Sequence, residues 1–239
     1  MQDTLLLTTR ALRDPDALIN GAESPADLAR LAPPLLGVTL VGGALFGLMV
    51  GSQHGGIQLL YASLKMPLLL LAPPLIALPV VHALWRACGV DPGWRRLSIA
   101  ALAGMARSAI FAAAMGPVLW LLYSIDLDYH ASVLVMTGTL ALAGLPGIAA
   151  LMRALPRGGD LRILATLGSA AALFLAFSQT GWLLRPFIAR PTAAVTLFRP
   201  IEEDVFSSLG ATNRSAVGDY RGWDAERSGF LAPAPEEAP

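Results

Sequence analysis

Three histidines are the residues of this sequence that could transfer protons or bind a metal ion near neutral pH. His54 follows Gln53 in a glycine-rich loop, residues 51–56, where the two polar side chains could bind a ligand or cap a helix. His82 lies near the end of an apolar segment, where a hydrogen-bonded structural histidine is the simpler interpretation. His130 follows two aspartates that could help it hold a metal ion, but such residues in one loop are more often solvated. No two histidines have the i, i+4 spacing that places two metal ligands on one helix face.

No combination of residues in the sequence predicts covalent or metal catalysis. The sequence lacks H-E-x-x-H, G-x-S-x-G and a glycine-rich phosphate loop that ends in Lys-Ser or Lys-Thr. Ser169 lies in an apolar segment where no histidine can be placed beside it. Cys88 is the only cysteine, which excludes an intrachain disulfide and a metal site built from cysteines. We therefore expect a protein that is not an enzyme and has no cofactor and no bound metal.

The distribution of charge indicates where the chain lies. Its 17 basic and 17 acidic residues give no net charge, which argues against a nucleic-acid binder and against an acidic disordered protein. Only 14% of the residues are charged, against about 25% in soluble proteins, and the mean hydropathy is +0.59. Residues 31–184 hold only 12 of the 34 charged residues, although they make up 154 of the 239 positions. A long charge-poor middle between two ordinary flanks is typical of an integral membrane protein.

Five apolar segments are long enough to cross a bilayer. A helix of about 20 residues spans about 30 Å of hydrocarbon, and only a helix satisfies its own backbone there. Each segment encloses 18 to 23 residues between polar markers at 30–54, 65–86, 107–126, 130–153 and 162–185. The sequence therefore predicts an all-α polytopic bundle with five transmembrane helices over residues 31–184. We expect residues 1–30 to form a cytoplasmic or interfacial preamble, and residues 185–239 to form an extracytoplasmic tail that is disordered toward its end.

The short loops predict how this bundle is oriented. Arginine-rich loops face the cytoplasm. The arginines of the loops after the second and fourth segments are Arg86, Arg95, Arg96, Arg153, Arg157 and Arg162. The loop 125–130 has no Lys or Arg and is expected to face outward. The N-terminus is therefore predicted inside and the C-terminal tail outside.

Three glycines mark one face of the first segment. Gly43, Gly47 and Gly51 form two overlapping small-xxx-small units, which allow close approach of two helices in lipid. We expect these glycines to form a helix-packing interface. The partner is either a helix of another subunit or another helix of the same chain, and the second case is the more common.

Prolines interrupt three of the segments. Pro73 and Pro74 lie in the second, Pro117 in the third and Pro146 in the fourth. Each removes a backbone donor and is expected to kink its helix. Kinked helices can line a transport path, but they also occur in membrane helices with no such role.

Arg107 is the one charged residue with two possible positions. It is buried if residues 94–124 form a single helix, whereas it lies at the interface if residues 94–106 run along the cytoplasmic surface. We expect the second arrangement, because it needs no buried partner for the guanidinium. No other Asp, Glu, Lys or Arg falls in the middle of a predicted span, which counts against a proton-coupled transporter.

Aromatic and charged residues alternate after the fifth segment. Trp182 and Arg185 suit the headgroup level, and with Phe187 and Arg199 they form a candidate outer docking segment. The run Trp182-Leu-Leu-Arg185-Pro186-Phe187 resembles a signature of bacterial polytopic inner-membrane proteins. The five-segment layout, with Leu12-Arg13-Asp14-Pro15 and Lys65-Met66-Pro67-Leu68, resembles the broad Yip1-like group over residues 5–206. This resemblance implies a helical membrane protein with no catalytic residues to carry over.

Three functions remain open at the level of sequence. We expect a non-catalytic subunit or scaffold of the bacterial inner membrane that packs in the lipid bilayer with partner membrane proteins. Its tail would dock an outer partner, and no nucleic acid is expected. The alternative is a small transporter or channel that uses the kinked second to fourth segments. A membrane-embedded enzyme would require His54, His130 or Ser169.

Overall fold

The computed structural model is all-α in the part of the chain that it describes, and five of its helices are long and apolar enough to cross a membrane. The described residues are 9, 13–20, 24–125, 127, 129–156, 161–188 and 195–198. The helices are α1 (Pro15–Asn20), α2 (Pro25–Gly51), α3 (Ile57–Ala87), α4 (Trp94–Tyr123), α5 (Tyr129–Ala154) and α6 (Arg162–Leu184). The prediction of an all-α chain with five membrane-length helices is confirmed.

The start of α2 follows directly from local sequence. The Ser24 hydroxyl accepts a hydrogen bond from the backbone N–H of Asp27 at 3.2 Å, and the Asp27 carboxylate accepts one from the backbone N–H of Ser24 at 2.9 Å. Pro25 occupies the first helical position, where its missing N–H costs nothing. The Ser-Pro-Ala-Asp sequence at residues 24–27 thus forms a capping box.

Helix α2 packs against both α3 and α4, and these two helices also contact each other. Helix α6 packs against α3, and α5 packs against α4. Gly43 meets Pro67 and Gly51 meets Leu59, so α2 and α3 are antiparallel. One end of the bundle, which we call the basic end, therefore holds the start of α2 and the α3–α4 and α5–α6 connections. The opposite end holds the α2–α3 and α4–α5 connections and the end of α6.

The short helix α1 belongs to the bundle. Its residues Leu18 and Ile19 are buried in a cluster that also contains Leu97 of α4 and Leu151 of α5. Asp16 lies 4.0 Å from the guanidinium of Arg153, which is a contact between two exposed side chains. This part of the predicted preamble is therefore packed against the basic end.

Two of the predicted segment boundaries were wrong. Helix α3 begins at Ile57, so Lys65 lies inside it and not at its start. Helix α4 is continuous from Trp94 to Tyr123, so residues 94–106 do not form a separate surface helix and Arg107 lies within a long span. The physical reason is visible in residues 99–106, which are all buried: a surface helix needs a polar face, and these small apolar residues instead fill the space between helices.

Candidate functional site

Two buried polar side chains on one face of α3 form the candidate site. Lys65 is 1% exposed, and its ammonium donates a hydrogen bond to the carbonyl oxygen of Pro186 at 2.7 Å. Gln58 is fully buried, and its Nε2 donates to the carbonyl oxygen of Phe187 at 2.6 Å. The two donors are seven residues apart and therefore share a helix face, from which they bind two successive carbonyl groups.

The acceptors belong to residues 185–188, which we call the exit segment because they directly follow α6. Pro186 cannot continue the helix, and α6 ends at Leu184. Phe187 and Ile188 are 9% and 2% exposed, and they pack in a cluster with Phe46 of α2. The chain that leaves α6 is therefore held against the bundle by buried apolar side chains as well as by hydrogen bonds.

Aromatic rings lie close to two cationic side chains at this end, Lys65 and Arg185. The Lys65 ammonium lies 6.0 Å from the ring centre of Phe187 and 5.3 Å from that of Phe198. The Arg185 guanidinium lies 3.4 Å from the ring centre of Trp182. The electron-rich faces of aromatic rings attract cations, and this attraction is stronger where water is excluded.

The chemistry of this site favours holding a segment in place. Burying an ammonium group is costly unless hydrogen bonds and nearby negative potential compensate for its lost hydration. Here the Pro186 carbonyl and the aromatic rings of Phe187 and Phe198 contribute to that compensation. A hydrogen bond to a charged group contributes about 1.5–3 kcal/mol, roughly twice the contribution of a neutral one. Lys65 is therefore the strongest single link between the exit segment and α3 among those described here.

The glycines of the predicted packing interface contact the chain's own α3. A methyl group built on Gly43 would lie 2.9 Å from the Cα of Pro67, and one on Gly51 would lie 2.6 Å from the Cα of Leu59. Gly47 faces the backbone of Ala62 equally closely. Such contacts leave no space for a side chain, so this face of α2 is occupied within the chain and is closed to a helix of another subunit.

The residues of the predicted outer docking segment differ in how far they are buried. Phe187 is buried against the bundle, and the Phe187 ring is therefore covered by the same chain. Trp182 and Arg185 are half-buried and stack on each other. Arg199 lies outside the described residues.

The other polar candidates lie apart from this site. His54 is exposed in the α2–α3 loop, and the neighbouring Gln53 has a buried Oε1 that accepts no hydrogen bond from the described residues. The ring of His82 packs edge-on against Trp94, with 5.2 Å between ring centres. The side chain of His130 is outside the part of the chain that the structure describes.

Ser169 links two helices. Its hydroxyl accepts a hydrogen bond from the indole N–H of Trp85 at 3.2 Å and donates one to the carbonyl oxygen of Ala165 at 2.7 Å. The accepted bond joins α3 to α6, whereas the donated bond is made within α6. Across the described ranges, no group of three or more His, Cys, Asp and Glu side chains is placed to hold a metal ion.

Sequence reasoning missed Gln58 and Lys65 as a pair. The lysine was interpreted as the polar limit of a span, since charged residues usually mark helix ends in membranes. The available signal was the run Ile57-Gln58-Leu59-Leu60 before it, which is apolar enough to extend the helix by two turns. In that extended helix Gln58 and Lys65 fall on one face, but the two carbonyl groups that accept their hydrogen bonds cannot be identified from the sequence.

Comparisons with protein-family models, curated proteins and solved structures gave no match to this chain. The resemblance to the Yip1-like group therefore stays a prediction. The function has to be inferred from the contacts described above.

Proposed function

We propose that this chain is a non-catalytic membrane subunit whose bundle anchors the C-terminal tail, residues 189–239, for binding to a partner outside the membrane. The observation that carries the proposal is the pair of buried hydrogen bonds from Gln58 and Lys65 to the exit segment. They fix the point at which the tail begins. A segment that is already fixed at one end loses less conformational freedom when it binds a partner, and this raises its affinity for that partner.

The distribution of arginines supports the orientation in this proposal. The described arginines of the α3–α4 and α5–α6 connections and their flanking turns are Arg86, Arg95, Arg96, Arg153 and Arg162. All of them lie at the basic end, which is the cytoplasmic end by the positive-inside rule. The exit segment is then extracytoplasmic, which in a bacterial inner membrane places it on the periplasmic side. A periplasmic reporter fused after residue 239 is expected to be active, and an inactive reporter would contradict this orientation.

The outer helices α5 and α6 provide the surface that faces lipid or partner membrane proteins. Large apolar side chains of α5 and α6 are exposed, including Leu134 at 72%, Ile163 at 76% and Phe174 at 67%. Because the glycine face of α2 is used within the chain, partner subunits have to contact surfaces such as these. This supports a bundle that assembles by itself and then recruits its partners.

Purification in mild detergent tests the proposed role of the tail. The full chain is compared with a chain ending at residue 198 and with the variant Lys65→Met. We expect a partner in stoichiometric amount with the full chain, loss of that partner on truncation, and weaker retention in Lys65→Met. A full chain that purifies alone as a monodisperse monomer would contradict the proposal, as would retention of the partner by the truncated chain.

A small transporter or channel is the second candidate function. It is favoured by α3, which carries Pro67, Pro73, Pro74 and Pro79 inside a single helix of 31 residues. Such a helix has several carbonyl groups without their usual donors, and these could line a polar path. Single cysteines introduced along α3 in a Cys88→Ser background would identify that path by their reaction with a water-soluble thiol reagent. Absence of any reactive face would exclude this candidate.

A further inference from the structure

Arg107 is an arginine inside a membrane-length helix without a described partner. It lies near the middle of α4 and is half-buried. Its Nε is buried and has no hydrogen-bond partner among the described residues. The arginines at the basic end differ, since Arg86 pairs with Asp91 at 2.7 Å and the Nε of Arg153 donates to a carbonyl oxygen at 3.1 Å. A charged side chain in a membrane span is costly and usually pairs with another group.

Contacts between α4 and α5 give the depth of Arg107. Gly104 packs against Gly147, and the Ser108 hydroxyl donates to the carbonyl oxygen of Gly144 at 3.4 Å. Arg107 is therefore level with residue 144 of α5, nine residues or about 13 Å from Arg153 and about 22 Å from the other end of that helix. The flexible arginine side chain can place its guanidinium about 6 Å along the helix axis from its own Cα, which is the rise of four helical residues. Both ends of α5 are farther away than this.

The helix face that contains Arg107 opens toward lipid. Every residue from 99 to 106 is buried, whereas Arg107 is half-buried. Further along the same face, Phe111 and Val118 are 38% and 54% exposed, and Ala114 is also exposed. We call Arg107, Phe111, Ala114 and Val118 the α4 strip. The strip is an apolar helix face with one cation, Arg107, at the end that lies nearer the basic end of the bundle.

We propose that the α4 strip binds a transmembrane helix of a partner protein, and that this helix carries an Asp or Glu whose carboxylate pairs with Arg107 near the middle of the membrane. The guanidinium offers a planar, two-pronged set of donors that matches a carboxylate, and the pair is worth most where water is excluded. Charge complementarity selects this occupant. A second copy of the chain is disfavoured, because the only acidic residue in α2–α6 is Asp27 in the first turn of α2. The inference rests on the proposed role as a membrane subunit, but it does not depend on docking by the tail.

Energy transfer in liposomes tests the proposal with a defined probe. The full chain is labelled at Cys88, its only cysteine, and incorporated into vesicles of zwitterionic phospholipid. The probes are acceptor-labelled synthetic helices of about 20 leucines and alanines with one central Glu, one central Gln, or the Glu moved to one end. We expect the central-Glu helix to associate about tenfold more tightly than the other two. This preference should vanish in Arg107→Met, largely persist in Arg107→Lys, and remain intact in Arg96→Met, which removes an exposed arginine of the same helix.

Each other outcome would overturn the proposal. Equal binding of the Glu and Gln helices by the unaltered chain means that the strip does not recognise a carboxylate. A preference that survives in Arg107→Met places recognition at another residue. Loss of the preference when anionic phospholipid is added means that Arg107 pairs with lipid headgroups. Because the assay contains no tail-binding partner, its failure leaves the proposed function of the tail untouched, and failure of tail docking leaves this result untouched.

Discussion

The substitution Lys65→Met removes the ammonium group but keeps a side chain of similar length. The carbonyl oxygen of Pro186 then loses the donor that lies 2.7 Å away, in a site where the lysine is only 1% exposed. A hydrogen bond to a charged group contributes about 1.5–3 kcal/mol, and leaving a buried acceptor unpaired costs a comparable amount. The equilibrium for release of the exit segment should therefore rise by about 10-fold to 150-fold. The neutral bond of Gln58 is weaker, so Gln58→Leu should raise this equilibrium by about 2-fold to 12-fold.

Cysteine accessibility measures this release directly. Ile188 is 2% exposed, so a cysteine at that position in a Cys88→Ser background reacts with a membrane-impermeant maleimide only when the exit segment opens. The reaction rate then follows the open fraction. A cysteine in place of His54, which is exposed at the same end, serves as the control and should react equally fast with and without the Lys65→Met substitution. An increase of less than about threefold at position 188 would refute the reasoning, because it is below the range of a charge-assisted hydrogen bond.

The bundle itself is expected to remain folded in Lys65→Met. The described hydrogen bond of Lys65 is made to the exit segment and not to another helix of the bundle. We therefore expect the thermal unfolding midpoint of the helices to change little while the exit segment loosens. A bundle that unfolds together with the segment would show that Lys65 stabilises the whole fold and not the exit segment alone.

Three further predictions concern the rest of the bundle. Gly47→Leu should prevent α2 from packing on α3 and cause loss of monodisperse protein in size-exclusion chromatography, whereas Gly37→Leu, which meets nothing within 4 Å, should be tolerated. Ser169→Ala leaves the buried indole N–H of Trp85 without an acceptor and should lower the free energy of unfolding by about 1–3 kcal/mol in denaturant titration. The pKa of Asp91 lies below its ordinary value of 3.8. The larger cause is a hydrogen bond from the backbone N–H of Gly93 to the Asp91 carboxylate, and the nearby Arg86 lowers the pKa further. The loop that contains Asp91 should therefore stay ordered above pH 3.8 and lose protection from amide hydrogen exchange as the pH falls below it.

The sequence by itself determined the number and type of the long helices. Water is absent from the bilayer core, so every crossing segment has to be apolar and helical, and both properties are visible in local composition. The start of α2 was equally local, since Ser24 and Asp27 satisfy each other's backbone groups within four residues. Local composition also misplaced two ends of the predicted spans, at Lys65 and Arg107, because it treats every charged residue as the end of a span.

Only the tertiary structure decided which helix faces meet and which charges are buried. The acceptors of Lys65 and Gln58 lie 121 and 129 residues away along the chain, and nothing near either residue indicates them. The glycine face of α2 predicted close packing, but its partner became clear only when α3 was found against it. Burial of a charge depends on the groups that surround it in space, whereas composition and spacing report only its neighbours along the chain. For that reason the sequence identified a five-helix membrane protein, and the fold located the site that holds the exit segment.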